Sequence, residues 1–291
     1  MKGIYVASVV AYDEKGALNA EAQQALYDKN LQEGANGFFI GGSSGECFLL
    51  SPEERVKSFE VASTYLNQTE LFAHVGALST DEAIYYAKKA KALGYKNIAA
   101  TPPFYFGYSQ AAISQYYKDI SKAIDMPVLF YNIPSNTNKE LVLTDPATRE
   151  VLRSGAISGV KHTNFDINQM ERIKNINPEL QMFGGLEQNM VAFMALGCDA
   201  FIGSTFNFML PHYKKIYELT KEKQTDEALK LQIKANNIME CIWNIGLFPA
   251  IKYIVGKQGI NVGSVRKPFL PLTEKEKEII NQVLEENLFQ E

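Results

Sequence analysis

Short apolar runs alternate with longer amphipathic stretches along most of the chain. The runs are apolar enough to be buried on both faces, which is typical of strands in a parallel sheet. The stretches between them place apolar residues at helical spacing, as in residues 82–90. Eight such runs occur, at residues 4–11, 37–40, 71–75, 97–100, 128–131, 157–161, 181–183 and 200–202. The pattern therefore predicts a strand followed by a helix, repeated eight times.

Capping residues indicate where several helices begin and end. The sequence Ser51-Pro52-Glu53-Glu54 combines a serine N-cap, a proline in the first turn and a glutamate three residues after the serine, so it predicts a helix that begins near Pro52. Gly34, Gly94 and Gly197 stand where amphipathic stretches should stop.

Eight strand–helix units in the first 222 residues predict the α/β class and a (β/α)8 barrel. An open, doubly wound sheet is the alternative that periodicity leaves open. After residue 222 the pattern is wholly helical, at 225–243, 247–256 and 273–287. We interpret residues 223–291 as a C-terminal helical extension packed on the barrel within a single structural unit.

Composition narrows the classes of partner. The chain has 291 residues, of which 46% are apolar. Its 29 basic and 33 acidic side chains nearly balance, whereas a nucleic-acid-binding surface needs an excess of clustered basic residues. The first apolar run is too short to span a membrane, and no signal-peptide pattern surrounds it. We therefore expect no nucleic-acid or membrane partner.

Three widely spaced cysteines, Cys47, Cys198 and Cys241, favour neither a disulfide framework nor a zinc site. We expect them to be small buried apolar residues, in a cytoplasmic protein. No pair of histidines has the spacing of metal ligands, so no metal site is predicted.

Polar residues collect at the predicted strand ends, where barrel enzymes carry their chemistry. Tyr131 ends the fifth strand and Lys161 ends the sixth. The other groups follow a strand directly: Ser43 and Ser44 after the second, residues 101–105 after the fourth, residues 184–188 after the seventh and residues 203–205 after the eighth. Residues 203–205 would either bind a phosphate or, because they are small, simply leave room in the barrel mouth.

Lys161 continues an apolar strand, so its side chain is expected to point into the barrel mouth. An ordinary lysine, with a pKa near 10.4, is only about 0.04% neutral at pH 7. Desolvation lowers such a pKa and produces an amine that forms Schiff bases. A solvated lysine just past the strand is the structural alternative. Tyr131, on the neighbouring strand, is either a proton relay or a packing residue.

Residues 41–45 match the G-x-S-x-G pattern of serine hydrolases, with Ser43 in the nucleophile position. That motif requires a helix directly after the serine, but here the helix is predicted to begin only near Pro52. The backbone N–H groups of a glycine-rich turn and the two serine hydroxyls could instead bind a carboxylate. We favour an anion cradle over a nucleophile, and a plain turn remains open.

Taken together, several motifs resemble the pyruvate-dependent class I aldolases that include N-acetylneuraminate lyase and dihydrodipicolinate synthase. The resemblance covers nearly the whole chain. It rests on Gly-Gly-Ser-Ser-Gly-Glu at 41–46, Pro-Pro-Phe-Tyr at 102–105, Tyr-Asn-Ile-Pro at 131–134, Gly-Val-Lys-His-Thr at 159–163, Gly-Ser-Thr-Phe-Asn at 203–207 and Arg-Lys-Pro-Phe at 266–269.

The resemblance implies reversible cleavage of N-acetylneuraminate to N-acetylmannosamine and pyruvate, without a metal or organic cofactor. In this family Lys161 would form the Schiff base, Tyr131 would relay protons, and Ser43 and Ser44 would hold the carboxylate. Tyr105 would complete a hydroxyl relay across a subunit interface, which implies a homotetramer. The positions that would hold or border the sugar chain are Thr163, Gly185, Glu187, Gln188, Ser204 and Phe248.

Two departures bear on the substrate. Dihydrodipicolinate synthase resembles this chain but carries an arginine where Asn136 stands. The lyases usually carry Asp-Glu where this chain has Glu187-Gln188. The alternatives are therefore an aldolase or dehydratase acting on another 2-keto-3-deoxy sugar acid and, more distantly, a non-catalytic barrel that senses sugars or pyruvate.

Overall fold

Eight parallel strands close into a barrel in chain order, with the first strand paired to the eighth. The computed structural model describes residues 1–288, so residues 289–291 of the predicted extension lie outside the described part. The strands are β1 (Gly3–Ala7), β2 (Gly37–Ile40), β3 (Glu70–His74), β4 (Asn97–Ala100), β5 (Val128–Asn132), β6 (Ile157–His162), β7 (Gln181–Gly184) and β8 (Ala200–Gly203). The predicted (β/α)8 barrel is confirmed, and the open sheet is excluded because β1 and β8 pair.

Helices surround the barrel. They are α1 (Ala20–Gln32), α2 (Pro52–Ser63), α3 (Thr80–Ala92), α4 (Gln110–Ile124), α5 (Pro134–Thr137), α6 (Pro146–Arg153), α7 (Ile167–Ile176), α8 (Met190–Ala195), α9 (Phe206–Lys221), α10 (Thr225–Ile245), α11 (Leu247–Lys257) and α12 (Glu274–Asn287). The predicted capping box at Ser51 is present. Gly34, Gly94 and Gly197 all have positive φ just beyond α1, α3 and α8, as helix-ending glycines should.

Two apolar layers bury the strands on both faces. The inner layer fills the barrel with alternate strand residues, including Phe39, Phe72 and Phe183. The outer layer lies between the strands and the helices. Burial on both faces is the reason that the strands are continuous apolar runs in the sequence.

The prediction of a first strand over residues 4–11 is wrong in its length, because β1 ends at Ala7. Beyond Ala7 the chain leaves the sheet but stays buried, and side chains satisfy its backbone. Val9 N–H donates to Asn207 Oδ1 at 3.2 Å, and Ala11 N–H donates to Gln23 Oε1 at 2.8 Å. Ser8 N–H still bonds the Phe39 carbonyl of β2 at 3.2 Å, but residues 9–11 are apolar because they are packed in the interior and not because they belong to a strand.

The last three helices pack on one side of the barrel. Helix α10 lies against α9, α11 and α12, and its Ile238 and Ile242 are fully buried. Within residues 1–288 no single helix is long and apolar enough to cross a membrane, and α10 with α11 reaches that length and composition only as a pair bent by 118°. Cys47 and Cys198 are buried as expected, whereas Cys241 is only half-buried, and all three are free thiols.

Candidate active site

A cavity of about 770 Å³ opens where the strands end. Residues after β2, β5, β6, β7 and β8 line it, and α10 and α11 close one side. The structure brings ten of the eleven predicted site residues to this cavity: Ser43, Ser44, Tyr131, Lys161, Thr163, Gly185, Glu187, Gln188, Ser204 and Phe248. Barrel geometry explains this convergence, because the carboxyl ends of parallel strands meet at one face.

Lys161 is buried in the barrel mouth with only 4% of its surface exposed. The register of β5 and β6 sets it beside Tyr131. Its Nζ lies 3.9 Å from the Tyr131 ring centroid and 4.4 Å from that of Phe39. Burial lowers the pKa of Lys161 to about 7, against a smaller opposing effect of the Glu187 carboxylate. A large fraction of this amine is therefore neutral and nucleophilic at neutral pH.

The Tyr131 phenol is protonated at neutral pH. Burial raises the pKa of Tyr131 to about 12, and the nearby hydroxyls of Ser43 and Thr163 oppose that rise. The Tyr131 ring thus lies against the amine, with two hydroxyls as further neighbours of the phenol. This arrangement can pass a proton along a chain of neutral groups without creating a buried charge.

The serine segment forms a tight turn that no α-helix follows directly. Gly41 has a φ of 68°. The Gly45 and Glu46 N–H groups donate to the carbonyls of Gly42 and Ser43, each at 3.0 Å. A short 3-10 helix, Cys47–Leu49, follows the turn, and the regular helix α2 begins only at Pro52. Because the nucleophile elbow needs an α-helix directly after the serine, the turn does not have the geometry of an elbow.

The three histidines are engaged away from Ser43. His74 Nδ1 lies 2.8 Å from the Gly41 carbonyl, and its Nε2 accepts the Thr101 N–H at 3.1 Å. Those two bonds fix a neutral tautomer with the proton on Nδ1, and burial holds the pKa of His74 well below its usual value. His162 bonds the Asp166 carbonyl and His212 the Leu231 carbonyl. His74 was missed by the sequence analysis, since nothing in a buried strand marks it as a support for the serine turn.

Glu187 is buried at the far side of the cavity, where its Oε1 is saturated with donors. It accepts the Thr205 N–H at 2.9 Å, the Thr205 hydroxyl at 3.1 Å and the Ser204 hydroxyl at 3.3 Å. A Cβ at Gly203 would lie 2.3 Å from Glu187 Cγ, so glycine is required for this approach. Gln188 Oε1, in contrast, is buried and has no partner within the described residues. The side-chain carbonyl of Gln188 is therefore an acceptor that no described residue satisfies.

Tyr105 is the predicted residue that the structure does not bring to the cavity. It lies in the loop between β4 and α4, is 75% exposed and contacts the Phe106 ring at 4.9 Å between centroids. Several further residues of the cavity were not predicted from the sequence, namely Asn164, Phe165, Met239, Trp243 and Leu247. Asn164 and Phe165 follow the end of β6, whereas the other three come from the C-terminal helices, where no strand end could have marked them. Within residues 1–288 no group of three or more His, Cys, Asp or Glu side chains is placed to hold a metal.

Comparison with known proteins identifies a family. Residues 1–287 match the Dihydrodipicolinate synthetase family. The chain is 33% identical over 285 residues to the N-acetylneuraminate lyase of Fusobacterium nucleatum, covering 97% of this chain and 98% of that protein. It is 32% identical over 275 residues to the N-acetylneuraminate lyase of Rhizobium meliloti, covering 94% and 91%.

Solved structures are similar over the same length. The structure of CdNal from Clostridium difficile in complex with mannosamine has a TM-score of 0.93 at 32% identity and covers 99% of both chains. The N-acetylneuraminate lyase of Fusobacterium nucleatum complexed with pyruvate has a TM-score of 0.91 at 33% identity, covering 99% of this chain and 98% of that one.

The low pKa of Lys161 can be tested without a substrate. A small acylating reagent such as acetic anhydride should modify Lys161 at a rate that rises with pH and levels off above about pH 7, since only the neutral amine reacts. Glu187→Gln should move the midpoint to lower pH, because it removes the charge that raises this pKa. The control substitution Glu227→Gln, at an exposed residue, should leave the midpoint of the pH dependence unchanged. Peptide mass mapping gives the rates, and a rise that continues to pH 10 would contradict the assignment.

Proposed function

Because the chain belongs to the Dihydrodipicolinate synthetase family, we propose that it is a Schiff-base aldolase that reversibly cleaves N-acetylneuraminate to N-acetylmannosamine and pyruvate. One observation carries this proposal: a buried lysine amine with a pKa near 7 lies in the cavity against a protonated tyrosine. A binding protein needs neither group, so their pairing supports catalysis over the sensing alternative. The relatives named above are N-acetylneuraminate lyases, which supports the substrate.

The chemistry follows from an amine beside a phenol. The neutral Lys161 amine attacks the keto carbon of the open-chain sugar acid, and loss of water gives a protonated imine. When the C3–C4 bond breaks, its electron pair moves into the imine to form a neutral enamine. The C4 hydroxyl proton passes to Tyr131 while the phenol, which is protonated beforehand, hands its own proton through a neighbouring hydroxyl to solvent, and one proton returns by the same path to C3 of the enamine. Protonation of the enamine at C3 and hydrolysis of the imine then release pyruvate.

The carboxylate end of the substrate would lie at the serine turn. Ser44 is buried, and Ser43 is half-buried beside Tyr131. Two hydroxyls and the backbone N–H groups of a glycine turn can converge on a carboxylate. No elbow helix follows Ser43, which supports a binding role over a nucleophilic one.

The far end of the cavity supports a polyhydroxy substrate. Gln188 Oε1 lacks a partner among residues 1–288, and Thr163 and Ser204 also line the cavity with their hydroxyl side chains. Asn136 lines the cavity where the semialdehyde-condensing relatives of the resemblance would carry arginine. A neutral amide cannot form the charge-assisted paired bonds that a distant carboxylate needs. Another 2-keto-3-deoxy sugar acid is the second candidate, favoured by the glutamate and glutamine at 187 and 188.

We also infer a homotetramer in which Tyr105 reaches the active site of a neighbouring subunit. The exposed Tyr105 and Phe106, 75% and 63% accessible, are aromatic groups that a subunit contact would cover. The family resemblance supplies the tetramer and the hydroxyl relay. The three free thiols support a reducing, cytoplasmic compartment.

Pyruvate with sodium borohydride should leave a stable secondary amine on Lys161, because reduction fixes the imine. Lys161→Arg should give no adduct, since a guanidinium stays protonated. Lys118→Arg, on the outer helix α4, should trap pyruvate like the wild type. Peptide mass mapping locates the adduct, and an adduct on any other lysine would overturn the mechanism.

Tyr131→Phe should still trap pyruvate but lose roughly 10²–10⁴ in kcat, because only the proton relay is removed. Tyr95→Phe is the matched control: that buried hydroxyl donates to the Phe59 carbonyl outside the cavity. We expect it to cost about 1 kcal/mol of stability and to leave kcat unchanged. Steady-state kinetics and thermal unfolding separate the two effects, and near-normal turnover by Tyr131→Phe would show that another group relays the proton.

Pyruvate release from N-acetylneuraminate should greatly exceed condensation of pyruvate with aspartate semialdehyde. Gln188→Ala should raise KM for the sugar acid about fivefold, the value of one hydrogen bond, without changing pyruvate trapping. A lactate dehydrogenase-coupled assay measures cleavage. Faster condensation of the semialdehyde would refute the substrate assignment. Trapping without activity on either substrate would favour the other sugar acid.

A further inference from the structure

An ion pair lies directly behind the serine turn. Glu46 Oε1 is 2.6 Å from Lys252 Nζ, and the two side chains are 0% and 2% exposed. Glu46 Oε2 accepts the backbone N–H of Arg266 at 2.8 Å. Neither Glu46 nor Lys252 lines the substrate cavity. Both carboxylate oxygens of Glu46 thus join the turn to segments more than 200 residues away in the chain.

Lys252 and Arg266 are themselves held in place by further contacts. The Tyr12 ring lies near both cations, 4.1 Å from Lys252 Nζ and 4.5 Å from Arg266 Cζ between atom and ring centroid. Lys252 Nζ also donates to the Ser264 carbonyl at 3.0 Å. The Arg266 guanidinium pairs with Glu54 and donates to the carbonyls of Leu49 and Gly16. The anchor behind the turn is therefore rigid.

The backbone of Glu46 needs such an anchor. Its φ of 51° lies in the left-handed region, which is unfavourable for a residue with a Cβ. Its N–H donates to the Ser43 carbonyl at 3.0 Å, so the position of Glu46 sets that of Ser43. Glu46 would relax toward ordinary backbone angles without its partners, and the hydroxyls of the turn would move with it.

We propose that Glu46 and Lys252 are positioning residues for the keto-acid carboxylate: their ion pair fixes the turn that presents Ser43 and Ser44 to the substrate. The inference rests on the proposed function. A purely structural pair would affect stability alone. A positioning pair must instead weaken pyruvate binding by a larger factor than it lowers kcat, because Lys161 and Tyr131 stand on separate strands and only the Ser43 neighbour of the phenol moves with the turn.

The experiment compares Glu46→Gln, Lys252→Met and the double variant that carries both changes. Single variants leave one buried group unpaired, so they are the ones that risk unfolding. The double variant removes both charges while keeping the side-chain volumes close to those of the native pair. Each variant is checked by thermal unfolding, and the pyruvate concentration that gives half-maximal borohydride trapping on Lys161 is then measured.

We expect the double variant to fold and its half-saturating pyruvate concentration to rise roughly tenfold, with kcat for N-acetylneuraminate within about threefold of the wild type. Lys29→Met is the matched control, because it breaks a partly buried ion pair with Glu33 on α1, 2.8 Å long, away from the turn. That variant should lose stability and bind pyruvate like the wild type.

The outcomes separate this inference from the proposed function. Unchanged half-saturation in a folded double variant would overturn the positioning role, and so would a fall in kcat alone. A double variant that cannot fold would overturn it too, because the pair would then hold the fold as a whole. Absence of trapping in the wild-type protein would instead refute the Schiff-base proposal itself.

Discussion

Desolvation of one amine governs the chemistry of the barrel mouth. Lys161 Nζ faces the rings of Phe39 and Tyr131, and a buried ammonium gains too little from these rings to offset its lost hydration. A carboxylate hydrogen-bonded to the amine would restore the charge and abolish the nucleophile. Glu187 is the acid that influences Lys161, but its Oε1 is committed to Thr205 and Ser204. The pKa therefore settles near 7, where neutral and charged amine coexist.

Apart from Glu187, the ionisable side chains next to the amine are neutral. Tyr131 is protonated and His74 is held as a neutral tautomer by its two hydrogen bonds. In the proposed function, a turn of hydroxyls and N–H groups would receive the carboxylate without placing another positive charge near Lys161. An arginine in that turn would bind the carboxylate more tightly but would depress the pKa of the amine further. Anion binding and amine reactivity are thereby kept independent.

Some of these features could be predicted from the sequence, and others could not. Lys161, Tyr131 and the two serines were predictable because strand ends in a barrel converge on one face. The first strand was overestimated because residues 8–11 are buried by packing against side chains. Other features depend on contacts between residues far apart in the chain, such as that of Glu46 with Arg266, 220 positions away. Local pattern does not encode such pairings, so the support behind the turn could be found only in three dimensions.

The C-terminal helices contribute to the site in two ways. Met239 and Trp243 of α10 and Phe248 of α11 line the cavity mouth, while Lys252, one turn further along α11, is tied to the serine turn. In the proposed function, residues 247–252 would therefore border the substrate's sugar end and also support its carboxylate end. The strands hold the reacting groups in a rigid frame, and the helices that follow the barrel set the distance between the two ends of the cavity. A change in this helical segment can consequently alter which sugar acids fit while leaving the amine and the phenol in place.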